Sequence, residues 1–394
     1  AHRKIWSNYM GIIRIQNLSD LTKYPNRKEA FSIIEAGMNA IETDGVITSS
    51  ISIMGEALQI KDFKIDLNRF NRVRIVGFGK ASCEAAVSLE KVLGSRINDG
   101  VVIDTKTAKC KYITSLAGTH PRPSLQNVSA TKHILDLAED TNENDLVLVI
   151  VSGGGSALLC GTEEECVQDE KLYDEFIRVG GNIDELNIVR KHLSFLKGGG
   201  LAKILYPATV IGLIFCDVPG NYCAETASGP TYKDQTTIKD AQIILDKYGF
   251  KDFDLNETPK ENIYFEKVHN ISLVSNVDAL TAMSEKAKDL GFEAKILSAS
   301  IYDTPEKTIH NFKNLSTKKS VVLGGGEVKL TVKRNGGSGG RCAHLALKAV
   351  SRLENNDIFI AIASDGIDNS IAAGAIVDKN TLYKIDELKL DPQD

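Results

Sequence analysis

The chain predicts an α/β protein of two domains built on parallel strands, and three observations carry that prediction. Apolar, strand-like runs alternate with helical patterns along most of its 394 residues, as in parallel βαβ units. The most apolar run, Leu146-Val-Leu-Val-Ile-Val151, shows no polar alternation, as expected of a strand buried on both faces. A polar stretch, Tyr248–Asn262, interrupts the alternation before it restarts, and reads as a linker.

In chain order, residues 27–42 form an amphipathic helix, with Phe31, Ile34, Ala36, Met38 and Ile41 near helical spacing. Strand Val73–Val76 and helix Ala81–Leu93 follow. Val101–Asp104 and Tyr112–Ser115 are short strands, and Leu125–Ala138 is a helix. Strand Leu146–Val151, helix Ile183–Leu196 and strand Thr209–Phe215 complete the first half. After the linker come strand Ile271–Val274, helix Ala279–Leu290, strand Ala294–Leu297 and a helix near Pro305–Asn314. Val321–Leu323 and Val328–Val332 read as the two arms of a strand pair. Helix Ala343–Leu353 and strand Ile358–Ala363 close the pattern.

The net charge of −5, without a Lys/Arg-rich run, argues against a nucleic-acid binder. No stretch has the roughly 18 uncharged apolar residues of a membrane span. Seven scattered cysteines without Cys-x-x-Cys spacing argue against a zinc site and for reduced thiols. The N-terminal residues carry no apolar secretory core. A cytoplasmic protein is the expectation.

Glycine-rich turns stand at predicted strand ends, where bare backbone N–H groups form anion nests. Gly77-Phe-Gly-Lys80-Ala-Ser82 is close to a dinucleotide fingerprint, and Asp104 ends a strand at about the distance of a ribose-binding acid. Its Lys suits phosphate charge better, and a tight strand–helix connection explains the turn equally well. Ser152-Gly153-Gly154-Gly155-Ser156 follows the most apolar strand and implies close approach of a ligand or of another backbone. Neither turn fits the Gly-x₄-Gly-Lys-Ser/Thr pattern. Between Asn187 and Gly199, Arg190, Ser194 and Lys197 share one helical face, either a solvated basic face or a binding face. Asp217, before Pro219-Gly220, and Asp365, in Ser364-Asp365-Gly366-Ile-Asp368, suit a metal, a hydroxyl or a turn cap. His120, in a stiff His-Pro-Arg-Pro loop, suits a substrate carboxylate or a helix entry.

In order, Gly79-Lys-Ala81, His120-Pro121, Ser152–Leu158, Asn187-x-Val-Arg-Lys-His-Leu-Ser194, Lys197-Gly-Gly, Asp217-Val-Pro-Gly220, Ala227-Ser-Gly-Pro-Thr231, Gly325-Gly-Glu327, Gly339-Gly-Arg341, Ser364–Asp368 and Ala372-Ala-Gly-Ala375 resemble the glycerate 2-kinases built from a Rossmann-like domain and a MOFRL domain. The resemblance spans residues 27–380. It implies a larger Rossmann-like N-terminal domain over 1–250, a smaller MOFRL-like α/β domain over 263–394, and an active site in the cleft between them. It implies transfer of the ATP γ-phosphoryl group to the 2-hydroxyl of D-glycerate, with Mg²⁺. The family's catalytic lysine falls on Lys80 and its arginine on Arg341. Cys216 stands where the family commonly has Ser, Cys342-Ala-His344 replaces Asn-x-Glu, and Asn369-Ser-Ile371 departs from the common form. The family's Thr-Gly-Pro-Thr-Gly-Thr-Asn turn does not occur before Asp394, so the chain reads as cut short.

On that footing, Ser152, Gly153, Gly154, Gly155 and Ser156 are expected to cradle nucleotide phosphates, with Lys197, Gly198 and Glu327 as further cofactor contacts. Lys80, Arg341 and Asp217 are the expected catalytic residues, and Asp217 and Asp365 the metal ligands. His120, Asn187 and Arg190 are expected to hold glycerate. The partners are a small-molecule substrate and a nucleotide, with a homodimer as the candidate assembly. An NAD(P)-dependent hydroxypyruvate or hydroxyacid reductase, and a non-catalytic nucleotide or sugar-phosphate sensor, are the alternatives.

Overall fold

The computed structural model describes residues 15–24, 26–218, 222–330, 338–354 and 356–390. They form two compact units: residues 43–275, and residues up to 42 together with those from 276 onward.

In the first unit, helix Thr43–Ser50 leads into an antiparallel meander of β1 (Ile51–Met54), β2 (Ala57–Ile60) and β3 (Phe63–Asp66). The main sheet follows, from β4 (Arg72–Phe78), β5 (Ile97–Asp104), β6 (Thr114–Ala117), β7 (Asp145–Val151), β8 (Thr209–Phe215) and β9 (Val268–Val274). Its order is β6-β5-β4-β7-β8-β9 and every pair is parallel. The chain thus winds outward from β4 in one direction and from β7 in the other. In such sheets ligands sit beyond the carboxyl ends of the two strands where the winding reverses. β4 and β7 run in register to their ends, Phe78 opposite Val151. All of β7 is buried, as its unbroken apolar run requires.

Two regions differ from the sequence expectation. The strand expected to open the second domain is β9, the sixth strand of this sheet, paired with β8. The polar stretch before it is bonded into the same unit. Asn256 N–H donates to His192 O at 2.7 Å, and the Thr258 hydroxyl to Asp234 Oδ2 at 3.1 Å. Its polar side chains meet internal partners there, which composition does not reveal.

The second unit includes helix Arg27–Ala40, whose Ile33 packs with Leu280, Ala287 and Leu323. Helix Asn276–Asp289 follows, then the parallel pair β10 (Glu293–Ile301) and β11 (Ser320–Gly326) and the antiparallel pair β12 (Phe359–Ile362) and β13 (Gly374–Val377). Ile309, Ala346, Ala349 and Val350 are buried together in its other core. The expected return strand Val328–Val332 is not formed over 328–330, and residues 331–332 lie outside the described residues, as do Gly336 and Gly337. Among the described residues no helix is long and apolar enough to cross a membrane.

Candidate active site

The turns that leave β4 and β7 are stitched to each other. Ser152 N–H donates to Phe78 O at 3.2 Å, and Lys80 N–H to Gly153 O at 2.9 Å. The Ser152 hydroxyl accepts Ala81 N–H at 3.1 Å. Gly79 has φ +115° and packs so close to Ser152 that a Cβ would overlap it, so only glycine fits.

The second turn is where side chains converge. A Cβ on Gly153 would overlap the Asp217 carboxylate. One on Gly154 would lie 3.0 Å from the His120 ring and 3.3 Å from the Lys80 stem. The turn's bare backbone is thus faced by the stem of Lys80, the imidazole of His120 and the carboxylate of Asp217, all on exposed residues. The turn after β4 supplies Lys80, the loop after β6 supplies His120, and the loop after β8 supplies Asp217. The N–H groups of Gly153 and Gly154 find no acceptor among the described residues. The Ser156 hydroxyl meets that of Ser228 at 2.9 Å. Next to Asp217, burial and the neighbouring Cys223 thiol push Cys216 up to about 12, which keeps it a neutral thiol and a poor nucleophile. Pro219 and Gly220 lie outside the described residues.

Four positions expected from the helix Ile183–Leu193 and the turn after it are not tied to this cluster. Arg190 is committed to Asp169 at 2.6 Å, with its side chain 11% exposed. Lys197 is fully buried and paired with Glu165 at 2.6 Å, so its head reaches no ligand directly. Gly198 uses its N–H on Ser228 O. Asn187 is half-buried on the same helix, and no hydrogen bond ties it to the Gly153–Ser156 turn among the described residues. Lys191 likewise pairs with Glu225 at 2.8 Å, and the buried His192 Nδ1 meets Asn256 O at 2.8 Å. The basic run is therefore not a solvated face: Arg190, Lys191, His192 and Lys197 form one side of a buried polar layer.

Asp104 is also withdrawn from ligand duty. It is fully buried and accepts Thr105 N–H at 2.6 Å and Cys83 N–H at 3.2 Å. Gly77 lies inside β4 against Val102 and Ile150 rather than in the turn.

In the second unit, helix Arg341–Ala349 starts beside Asp368, whose carboxylate accepts the N–H groups of Gly340, Cys342 and Ala343 at 3.2, 3.0 and 2.7 Å. This cap fixes the backbone of Arg341, whose Nη1 lies 2.9 Å from Glu327 Oε1 and whose Nε donates to Val328 O at 3.1 Å. Glu327 and Arg341 thus come together, both about half exposed. Asp365 sits in an exposed turn with one oxygen on Ile367 N–H at 3.1 Å. Among the described residues no three His, Cys, Asp or Glu side chains cluster as a metal site. Sequence reasoning overlooked Asp368, Ser228 and Glu165 as site-building residues. The first two stand inside quoted motifs, Ser364–Asp368 and Ala227–Thr231; Glu165 sits in an acidic run that carries no signal.

Two sequence families match the chain: a domain of unknown function, DUF4147, over residues 29–258, and the MOFRL family over 320–394. A D-glycerate 2-kinase of Thermotoga maritima is 35% identical over 376 residues, covering 88% of this chain and 88% of that protein. A glycerate 2-kinase of Pyrococcus horikoshii is 32% identical, covering 90% and 84%. The crystal structure of a Thermotoga maritima glycerate kinase superposes with a TM-score of 0.76 at 31% identity, covering 93% of this chain and 90% of that one.

Proposed function

This chain belongs to the glycerate 2-kinase family, and from that premise we infer that it transfers a phosphoryl group from ATP to the 2-hydroxyl of D-glycerate, giving 2-phosphoglycerate. The observation that carries the reading is the Gly153–Gly154 turn, faced by Lys80, His120 and Asp217 at the reversal of the sheet. Phosphoryl transfer asks a protein for positioning and charge neutralisation more than for covalent help, and the turn offers both.

In this reading the Gly153 and Gly154 N–H groups hold phosphate oxygens, and Lys80 neutralises charge on the group being transferred. His120 orients the glycerate carboxylate, and Asp217 accepts the proton of the attacking hydroxyl. Mg²⁺ is usually held by one or two carboxylates together with substrate phosphates rather than by a protein cage, and Asp217 beside the turn fits that donor set. Bound there, the ion would neutralise phosphate charge. Asp365, Glu327 and Arg341 enter the proposal through the resemblance alone. Seven free thiols suit a reducing compartment, and a cytoplasmic setting belongs to the same proposal. The reductase alternative loses its ribose ligand, because Asp104 is spent inside the fold.

The test is purified protein with ATP, Mg²⁺ and D-glycerate, the product resolved as 2- or 3-phosphoglycerate. Formation of 2-phosphoglycerate is expected. Nicotinamide oxidation with hydroxypyruvate, without any ATP requirement, would overturn the reading.

A further inference from the structure

The Glu165–Lys197 pair sits where it can set the shape of the glycine turn. The Lys197 ammonium, 1% exposed, lies 2.6 Å from Oε1 of Glu165, itself 4% exposed. The other carboxylate oxygen accepts Gly161 N–H at 2.9 Å. Gly161 closely follows the segment Gly155–Leu158 that leaves the turn. On the lysine side, Gly198 and Gly199 donate their N–H groups to Ser228 O and Gly229 O, each at 2.9 Å. The Ser228 hydroxyl meets Ser156 at 2.9 Å, and Ala227 fills the space beside Gly155. One buried carboxylate is therefore linked to the turn by two routes, along the chain from Gly161 and through Lys197, Gly198 and Ser228 to Ser156.

We propose that the Glu165–Lys197 pair positions the phosphate-binding turn, acting through Ser228 on Ser156. The proposal rests on the kinase reading, which gives the turn its ligand. Stability is a poor reason for such a pair, since desolvation offsets much of the attraction between buried charges. Fixed geometry is a better one. Ala227 and Ser228 hold φ of 53° and 60°, a left-handed backbone that such residues keep only where the surroundings over-determine it. The bonds from Gly198 and Gly199 supply that constraint, and Lys197 anchors the segment that makes them. Burial alone favours a neutral amine. The charges of Glu165 and Asp169 outweigh it and hold Lys197 above the ordinary lysine value, so the anchor stays charged.

The experiment compares wild type, Glu165→Gln/Lys197→Met, Ser228→Ala and the triple variant. The paired change removes both charges, and the amide introduced by Glu165→Gln keeps a carbonyl for Gly161. ATP affinity is measured by calorimetric titration, and KM for ATP and for D-glycerate by steady-state kinetics. The paired variant is expected to bind ATP about tenfold more weakly, a difference of about 1.4 kcal/mol, with KM for glycerate within about twofold of wild type. Ser228→Ala is expected to weaken ATP in the same direction, and the triple variant to lose little more than the paired one, as members of one linkage do. Unchanged ATP affinity in the paired variant, or losses that add in full, would overturn the proposal. Should the paired variant not fold, Ser228→Ala decides: wild-type ATP binding there removes the link. Wild-type protein that binds ATP without phosphorylating glycerate would sink the kinase reading while leaving the positioning test intact.

Discussion

In the proposed reaction, Lys80 and Gly153 are the residues on which the chemistry turns. Lys80→Ala is expected to lower kcat by about 10²–10³-fold, the usual loss when one charge-stabilising donor is removed, with the melting temperature unchanged. Wild-type turnover in that variant would remove Lys80 from the mechanism. Gly153→Ala probes the crevice differently, because the new Cβ overlaps the Asp217 carboxylate. At least a tenfold fall in kcat is expected, with little change in thermal stability because Asp217 is exposed. Lys80, His120 and Asp217 were legible in the sequence, since each stands in a short motif at a strand end. Arg190 and Lys197 were not. A cation with an acidic partner 21 or 32 residues away looks, in sequence, the same as one facing water.

The strands β4 and β7 hold the two turns side by side, and an ion pair fixes them at the opposite end. Arg72 opposite Asp145 forms a two-point contact, Nε to Oδ1 at 2.9 Å and Nη2 to Oδ2 at 2.7 Å. Burial is the largest single influence and would raise the Asp145 carboxyl, but the bond from Arg72, the Asn142 N–H and the charges of Arg72 and Arg74 together outweigh it and hold the group below the ordinary carboxylate range. A depressed carboxylate contributes stability that is present above its unfolded pKa of about 3.9. That contribution is lost as pH falls through the folded value. Asp145→Asn is therefore expected to cost about 2 kcal/mol at pH 7, as for a charged hydrogen-bond partner lost from a pair whose Arg72 side is 26% exposed. Urea unfolding followed from pH 7 down to pH 3 should show the gap between variant and wild type closing at the acidic end. A gap that stays constant with pH would assign the loss to something other than charge. The sheet was legible wherever strands were apolar throughout, as in β7 and β8. The meander β1–β3 escaped notice because four-residue strands carry too short a pattern to separate from loop.

At the scale of the molecule, ligand binding should register as selective protection. ATP at about 100 times its Kd is expected to stabilise the unit containing Lys80 by about 2.7 kcal/mol, seen as slower hydrogen exchange at the ends of β4 and β7. The same protection in Lys80→Ala would detach the effect from this site. The class of fold and its parallel sheet were readable from the alternation of elements. The division into units was less so. The helix Arg27–Ala40 shows an apolar face, and the pattern cannot say which segment covers it.

That helix finds its cover late. Ile33 packs against Leu280 and Leu323, and Arg27 bonds Asp378 across 351 positions of sequence. A ribosome adding about 5–20 residues per second needs roughly 10–50 s to travel from the helix to Leu280. Through that interval an apolar face is already outside the tunnel while residues 43–275 fold first. Nascent chains arrested once residue 275 has just cleared the tunnel should therefore show a protease-resistant 43–275 core and a cleavable segment 27–40. A helix made early in the chain thus waits for partners made much later.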